Sequence, residues 1–179
     1  MTKAQDHPTA APDADPPTDR AHRVGTLNHI RFTVTEIGRA EAFYGVVLGF
    51  MGYRLVEKSA DRLAWAAMTS DGGLQWVILS AAHPDSLDRP HDRYAPGLHH
   101  LAWNAEDRDQ VDRLHALLRD IGATVLDPPA EYDYEPGYYA VFFLDPDGLK
   151  LEFVHVPGAG AGSVHYWREA IARGGPIET

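Results

Sequence analysis

The chain has 179 residues, 44% of them hydrophobic, enough to bury the core of one domain or of two small half-domains. Its 16 Lys and Arg against 26 Asp and Glu leave a net charge of -10, which argues against a protein that works by neutralising phosphates and sets nucleic acid aside as a partner. The absence of Cys removes disulfides and thiolate ligands, so any metal site must be built from His, carboxylate and amide oxygen. No run approaches the ~18 apolar residues of a bilayer span, and the amino terminus lacks the apolar stretch of a secretion signal; a cytoplasmic protein with no membrane partner is expected.

Residues 1–24 are rich in Pro, Ala and Asp without apolar periodicity, and a disordered tail is expected there. From Leu27 the sequence LNHIRFTV alternates as a strand, with Ile30, Phe32 and Val34 on one face and His29, Arg31 and Thr33 on the other. Ile37 to Leu48 carries a helical stripe of Ala40, Phe43, Tyr44, Val47 and Leu48, and Gly49 is placed to end it with a left-handed cap. YRLVEK, RLAWAAM and LQWVILS read as three short strands separated by polar turns. Residues 25–97 thus form one module: strand, helix, three strands.

The same order returns over residues 98–157, as in an internal duplication. HHLAWNA is a strand; residues 107–121 present Val111, Leu114, Leu118 and Ile121 as a helical stripe ended by Gly122. ATVLDP, a Tyr-rich segment leading into GYYAVFFLD, the turn Asp145-Pro146-Asp147-Gly148 and the strand LKLEFVHV complete the module. Residues 158–179 open with GAGAGS and end in VHYWREAIARGG and beyond, a C-terminal extension that could hold a short helix.

The repeat gives two histidines their meaning. His29 and His100 occupy equivalent places in the first strand of each module, in NHIRF and HHLAW, and Glu152 stands in the last strand of the second. Two His and one carboxylate from different strands make a three-donor face with positions left open for water or substrate. His99, by alternation, faces the other way and reads as a packing or hydrogen-bonding residue.

From about Gly25 to Pro157 the chain resembles the vicinal oxygen chelate superfamily, which includes glyoxalase I, methylmalonyl-CoA epimerase, extradiol dioxygenases, and fosfomycin and bleomycin resistance proteins. The residues that carry the resemblance are LNHIRFTV with AEAFYGVVLGF in the first half, and GLHHLAW with FFLDPDGLKLEF in the second. It implies an α+β fold of two tandem βαβββ modules forming a cup-shaped, partly closed mixed sheet. It also implies one divalent metal ion (Fe, Mn, Co, Ni or Zn) on His29, His100 and Glu152, with a fourth donor in LQWVILS, where Gln75 is the candidate. Counting from the two turns leaves Gln75 one residue out of step with Glu152. The activity implied is that of a metal-dependent lyase or isomerase: the ion takes two neighbouring oxygens of a small substrate and stabilises an enolate, and Glu152 is a candidate base. A ring-cleaving dioxygenase and a drug-sequestering binding protein are the alternatives. Trp65, Tyr138 and Tyr139 are candidates for the substrate pocket, and a homodimer is expected from the habit of such paired modules.

Overall fold

The computed structural model describes residues 27–69, 72–157 and 172. The expected N-terminal tail, and all of the C-terminal extension except Ala172, lie outside them. The first module is built from β1 (His29–Val34), α1 (Ile37–Phe50), β2 (Arg54–Lys58), β3 (Arg62–Met68) and β4 (Leu74–Ala81). The second repeats it as β5 (His100–Asn104), α2 (Arg108–Asp120), β6 (Val125–Glu131), β7 (Tyr139–Leu144) and β8 (Lys150–His155). Each module forms its own four-stranded sheet, in the orders β1-β4-β3-β2 and β5-β8-β7-β6, with the first and last strands of each module parallel neighbours. The α+β architecture of two tandem βαβββ units is therefore as expected.

The helices begin and end for local reasons. Glu36 caps α1 by accepting from the backbone of Gly38 and Arg39, and Asp107 caps α2 by accepting from that of Gln110. Gly49, expected to end α1, lies inside it. The cap falls instead on Gly52 (φ +88°), whose N–H reaches Gly49 O while Tyr53 N–H reaches Leu48 O. Gly122 (φ +68°) ends α2 in the same way, with Gly122 N–H on Arg119 O and Ala123 N–H on Leu118 O. Both are paired-bond caps that need a positive φ, which glycine adopts without a Cβ penalty.

The stripe Ala40, Phe43, Tyr44, Val47 and Leu48 is buried, as are Val111, Leu114 and Leu118 of α2. These meet Leu63, Trp65, Val77 and Leu79 from the first sheet and Val141, Phe143, Leu151 and Phe153 from the second in one continuous core. Tyr44 packs on Phe32 and Trp65, while Phe43 and Phe50 reach Phe143 and Phe153 across the module boundary. The two sheets thus turn their inner faces toward a shared helical layer, and their other faces point away from it. No helix among the described residues is long and apolar enough to cross a membrane.

The Asp145-Pro146-Asp147-Gly148 turn joins the modules. Asp145 accepts from the backbone N–H groups of Asp147 and Leu149, which shapes the turn, and its other oxygen accepts from the buried Tyr44 hydroxyl at 2.8 Å. Asp147 accepts from Thr35 N and Oγ1 and from Arg39 at the start of α1. Burial, and then the neighbouring Asp145 carboxylate, hold the Tyr44 phenol well above the ordinary tyrosine range. Folding stability that depends on a neutral Tyr44 is fully present below about pH 10. It falls as the pH rises from there, because the unfolded chain releases its phenolic proton first. Tyr44→Phe is expected to cost about 1–3 kcal/mol at neutral pH by stranding an Asp145 oxygen, and to flatten the alkaline fall; urea unfolding at pH 7 and near pH 10.5 measures both.

Candidate metal centre

Alternation along β8 sends Leu151 and Phe153 into the core and Lys150, Glu152 and Val154 to the outer face. Parallel pairing with β5 sets Ala102 beside Glu152 and His100 beside Lys150, so His100 is on that face too. Glu152 is only 2% exposed. Its Oε2 lies 3.2 Å from His100 Nε2, and its Oε1 accepts the hydroxyl of Tyr138. Among the described residues no Lys or Arg pairs with this carboxylate. The other ring nitrogen of His100, Nδ1, meets Nδ1 of His99 at 2.7 Å, so one proton is shared along that edge. Lys150 stands nearby with its ammonium 3.9 Å from the Phe142 ring centroid. Burial, and then the bond to Glu152, push the Tyr138 phenol far up from the ordinary tyrosine range, so it stays a donor throughout the working pH range.

On the first sheet His29, Arg31 and Thr33 occupy the outer face, opposite Trp76, Ile78 and Ser80 of β4. His29 Nδ1 is engaged by Asn28 Oδ1 at 2.8 Å, which leaves Nε2 as the free nitrogen. Ala64 and Ala66 of β3 pair with Ile78 and Trp76 and complete a floor of small and apolar side chains. Gln75 is on the other side. It alternates with Trp76, shares the inner face with Val77 and Leu79, and accepts the Tyr53 hydroxyl at 2.9 Å. The expected fourth donor is corrected accordingly: Ile78 pairs with Arg31 as Glu152 pairs with Ala102, and it has no donor atom.

The expected pocket residues divide in the same manner. Trp65 is buried in the core against Tyr44, and Tyr139 turns inward to donate to Asp112 of α2, so neither lies on the face of Glu152. Tyr138 does. Asn28 and Lys150 were not singled out from the sequence; Lys150 could have been, since two residues along a strand return to the same face.

Within one chain the structure brings His100 and Glu152 together and leaves His29 on the far side of the helical layer. Among the described residues no three His, Asp or Glu side chains converge on one point. The His100–Glu152 pair nevertheless fits an ion. In the tautomer that carries its proton on Nδ1, His100 would direct a lone pair from Nε2 at a carboxylate oxygen, two acceptors edge to edge that a cation would satisfy; in the other tautomer Nε2 donates to Glu152. Donors ~2.1 Å from a small divalent ion and at right angles stand about 3 Å apart, close to the 3.2 Å seen.

Comparison with known proteins agrees with the architecture. A family model described as the Glyoxalase/Bleomycin resistance protein/Dioxygenase superfamily matches residues 26–153. The chain is 33% identical over 132 residues to the uncharacterized protein YqjT of Bacillus subtilis, covering 72% of this chain and 97% of that protein. It is 31% identical over 147 residues to the metallothiol transferase FosB of Shouchella clausii, covering 82% and 90%. A presumed glyoxalase of Bacillus halodurans superposes with a TM-score of 0.64 at 26% identity, over 74% of this chain and 97% of that one.

Proposed function

The chain belongs to the Glyoxalase/Bleomycin resistance protein/Dioxygenase superfamily, and from that membership we propose that it is a divalent-metal-dependent enzyme acting on a small oxygenated substrate. The observation that carries this reading is the buried Glu152 carboxylate facing His100, with no Lys or Arg beside it among the described residues. His100 and Glu152 would hold the ion from one copy of the chain, and His29 of a second copy would complete the set. With two imidazoles and one carboxylate holding it, the ion would keep open positions for substrate oxygens and would supply Lewis-acid charge stabilisation there.

The chain's own groups narrow the reaction. Both oxygens of Glu152 are engaged, one by Tyr138 and one toward His100, so the carboxylate is poorly placed to detach and remove a proton. Ile78 stands where a second carboxylate would be needed. An isomerase or lyase that abstracts a proton beside a carbonyl therefore fits this site less well than a group transfer to an oxygenated acceptor. Thiol transfer, the activity in the name of the FosB relative, is the form favoured here. A second reading, ring cleavage with iron(II), rests on the same two-His-one-carboxylate set.

The test is metal content per chain by elemental mass spectrometry, after loading apoprotein singly with Fe(II), Mn(II), Co(II), Ni(II) or Zn(II). Wild type should bind close to one ion per chain and His100→Ala almost none, while Gln75→Ala keeps the wild-type amount. Absence of binding under every loading overturns the proposal. Oxygen uptake by the iron form with a catechol moves ring cleavage to first place.

A further inference from the structure

We infer that Tyr138 is the positioning residue of the centre: its hydroxyl bond to Glu152 Oε1 leaves Oε2 as the single oxygen presented beside His100 Nε2. The inference rests on the metal reading above and adds to it a residue that holds the ligand rather than the ion. Three further observations show that the chain is built to place this phenol. Tyr138 is anchored through its backbone on both sides, its N–H on Glu135 O at 3.1 Å and its O accepting from Tyr132 N–H at 3.0 Å. Its ring is held edge-on by Tyr134 and Tyr132, with centroids 5.1 and 6.4 Å away.

The residue before it is Gly137, at φ +77°, where an added Cβ would stand 2.5 Å from Pro157 Cγ. That approach excludes any side chain, so the turn that delivers Tyr138 is fixed against Pro157, two residues beyond β8. A carboxylate free of such a bond can swing or chelate through both oxygens; with one oxygen saturated, only one geometry remains.

The experiment is cobalt(II) titration of wild type, Tyr138→Phe and Tyr134→Phe, following affinity and the visible d–d spectrum. The phenylalanine keeps the ring packing, and thermal melting checks the fold. Tyr138→Phe should bind cobalt about 10–100-fold more weakly, as loss of an outer partner of a ligand does, and with an altered spectrum. Tyr134→Phe, which has no hydroxyl bond to Glu152, should match wild type. Equal affinity and spectrum in Tyr138→Phe overturn the inference. If wild type takes up no cobalt, the metal reading itself has failed, and proton NMR of the apoprotein decides the positioning role alone. A slowly exchanging hydroxyl proton downfield of the amides, lost in both Tyr138→Phe and Glu152→Gln, supports it; its absence from wild type overturns it.

Discussion

Mixed in equal amounts and allowed to exchange, His29→Ala and His100→Ala chains should regain about a quarter of the wild-type metal content, although each alone holds almost none. The reason is how the donors are divided. His29 lies on the outer face of the first sheet and His100 with Glu152 on the outer face of the second, with the shared core between them. A site then takes one donor from one copy and two from the other. In a symmetric pair containing one chain of each variant, one site draws His29 from the His100→Ala chain and both other donors from the His29→Ala chain, and is intact; its twin lacks both histidines. Random exchange makes about half of the pairs mixed, which gives the quarter. Recovery is read by elemental analysis and by catalytic rate once a substrate is found. No recovery after demonstrated exchange means that the three donors meet within one chain after a rearrangement, or not at all.

Replacing Glu152 by Met should abolish metal binding and make the apoprotein more stable. The carboxylate is 2% exposed, and its partners are an imidazole and a phenol rather than a cation. Burial of such a group is costly, and replacing a buried ionic group together with its partners by apolar side chains is commonly neutral to stabilising by about 1–4 kcal/mol; here His100 and Tyr138 are part-exposed and can turn to water once the carboxylate is gone, so the single replacement approaches that case. Ala140, Phe142 and Val154 already line an apolar patch on this face, ready to receive a thioether. In a protein of this size the gain appears as a melting temperature higher by a few degrees. Tyr138 is only half buried, so its hydroxyl turns to water without a large penalty. Glu152→Ala is the contrast, since it leaves a void and should melt lower. A Glu152→Met chain that binds metal normally and melts below wild type would show that Glu152 is a structural group.

The elements, and the strand faces on which His29, His100 and Glu152 lie, were legible because they depend on short-range periodicity. Strand alternation alone sends His29, His100 and Glu152 away from the core side of their strands, and helical spacing picks out the buried stripes of α1 and α2. The misreadings are all of one kind, a slip of a residue or a few. Gln75 and Trp76 differ by one position and by a whole sheet face, as do Tyr138 and Tyr139. Alternation within β4 could not decide which set faced inward, because Trp76 and Ile78 are as apolar as Val77 and Leu79. Gly49 follows the last residue of the stripe, where a cap would sit, but a helix tolerates an interior glycine at a cost of ~1 kcal/mol. Gly52 was the better placed for the paired-bond cap.

What periodicity cannot supply is the way the two modules face each other. That is set by contacts far apart in sequence: Tyr44 on Asp145, Thr35 and Arg39 on Asp147, Phe43 on Phe143. The turn that most strongly marks the family resemblance in the sequence is, in the fold, the latch that holds the modules back to back.

In the proposed centre that latch would link assembly to ion supply. If the faces it turns outward meet only when two chains associate, the ion and the second chain are coupled ligands of the same body. The factor by which metal tightens association must equal the factor by which association tightens metal binding. Dilution would then strip the ion and chelation would part the chains. At high dilution the number of working centres would follow the square of the chain concentration times the ion concentration, rather than either one alone.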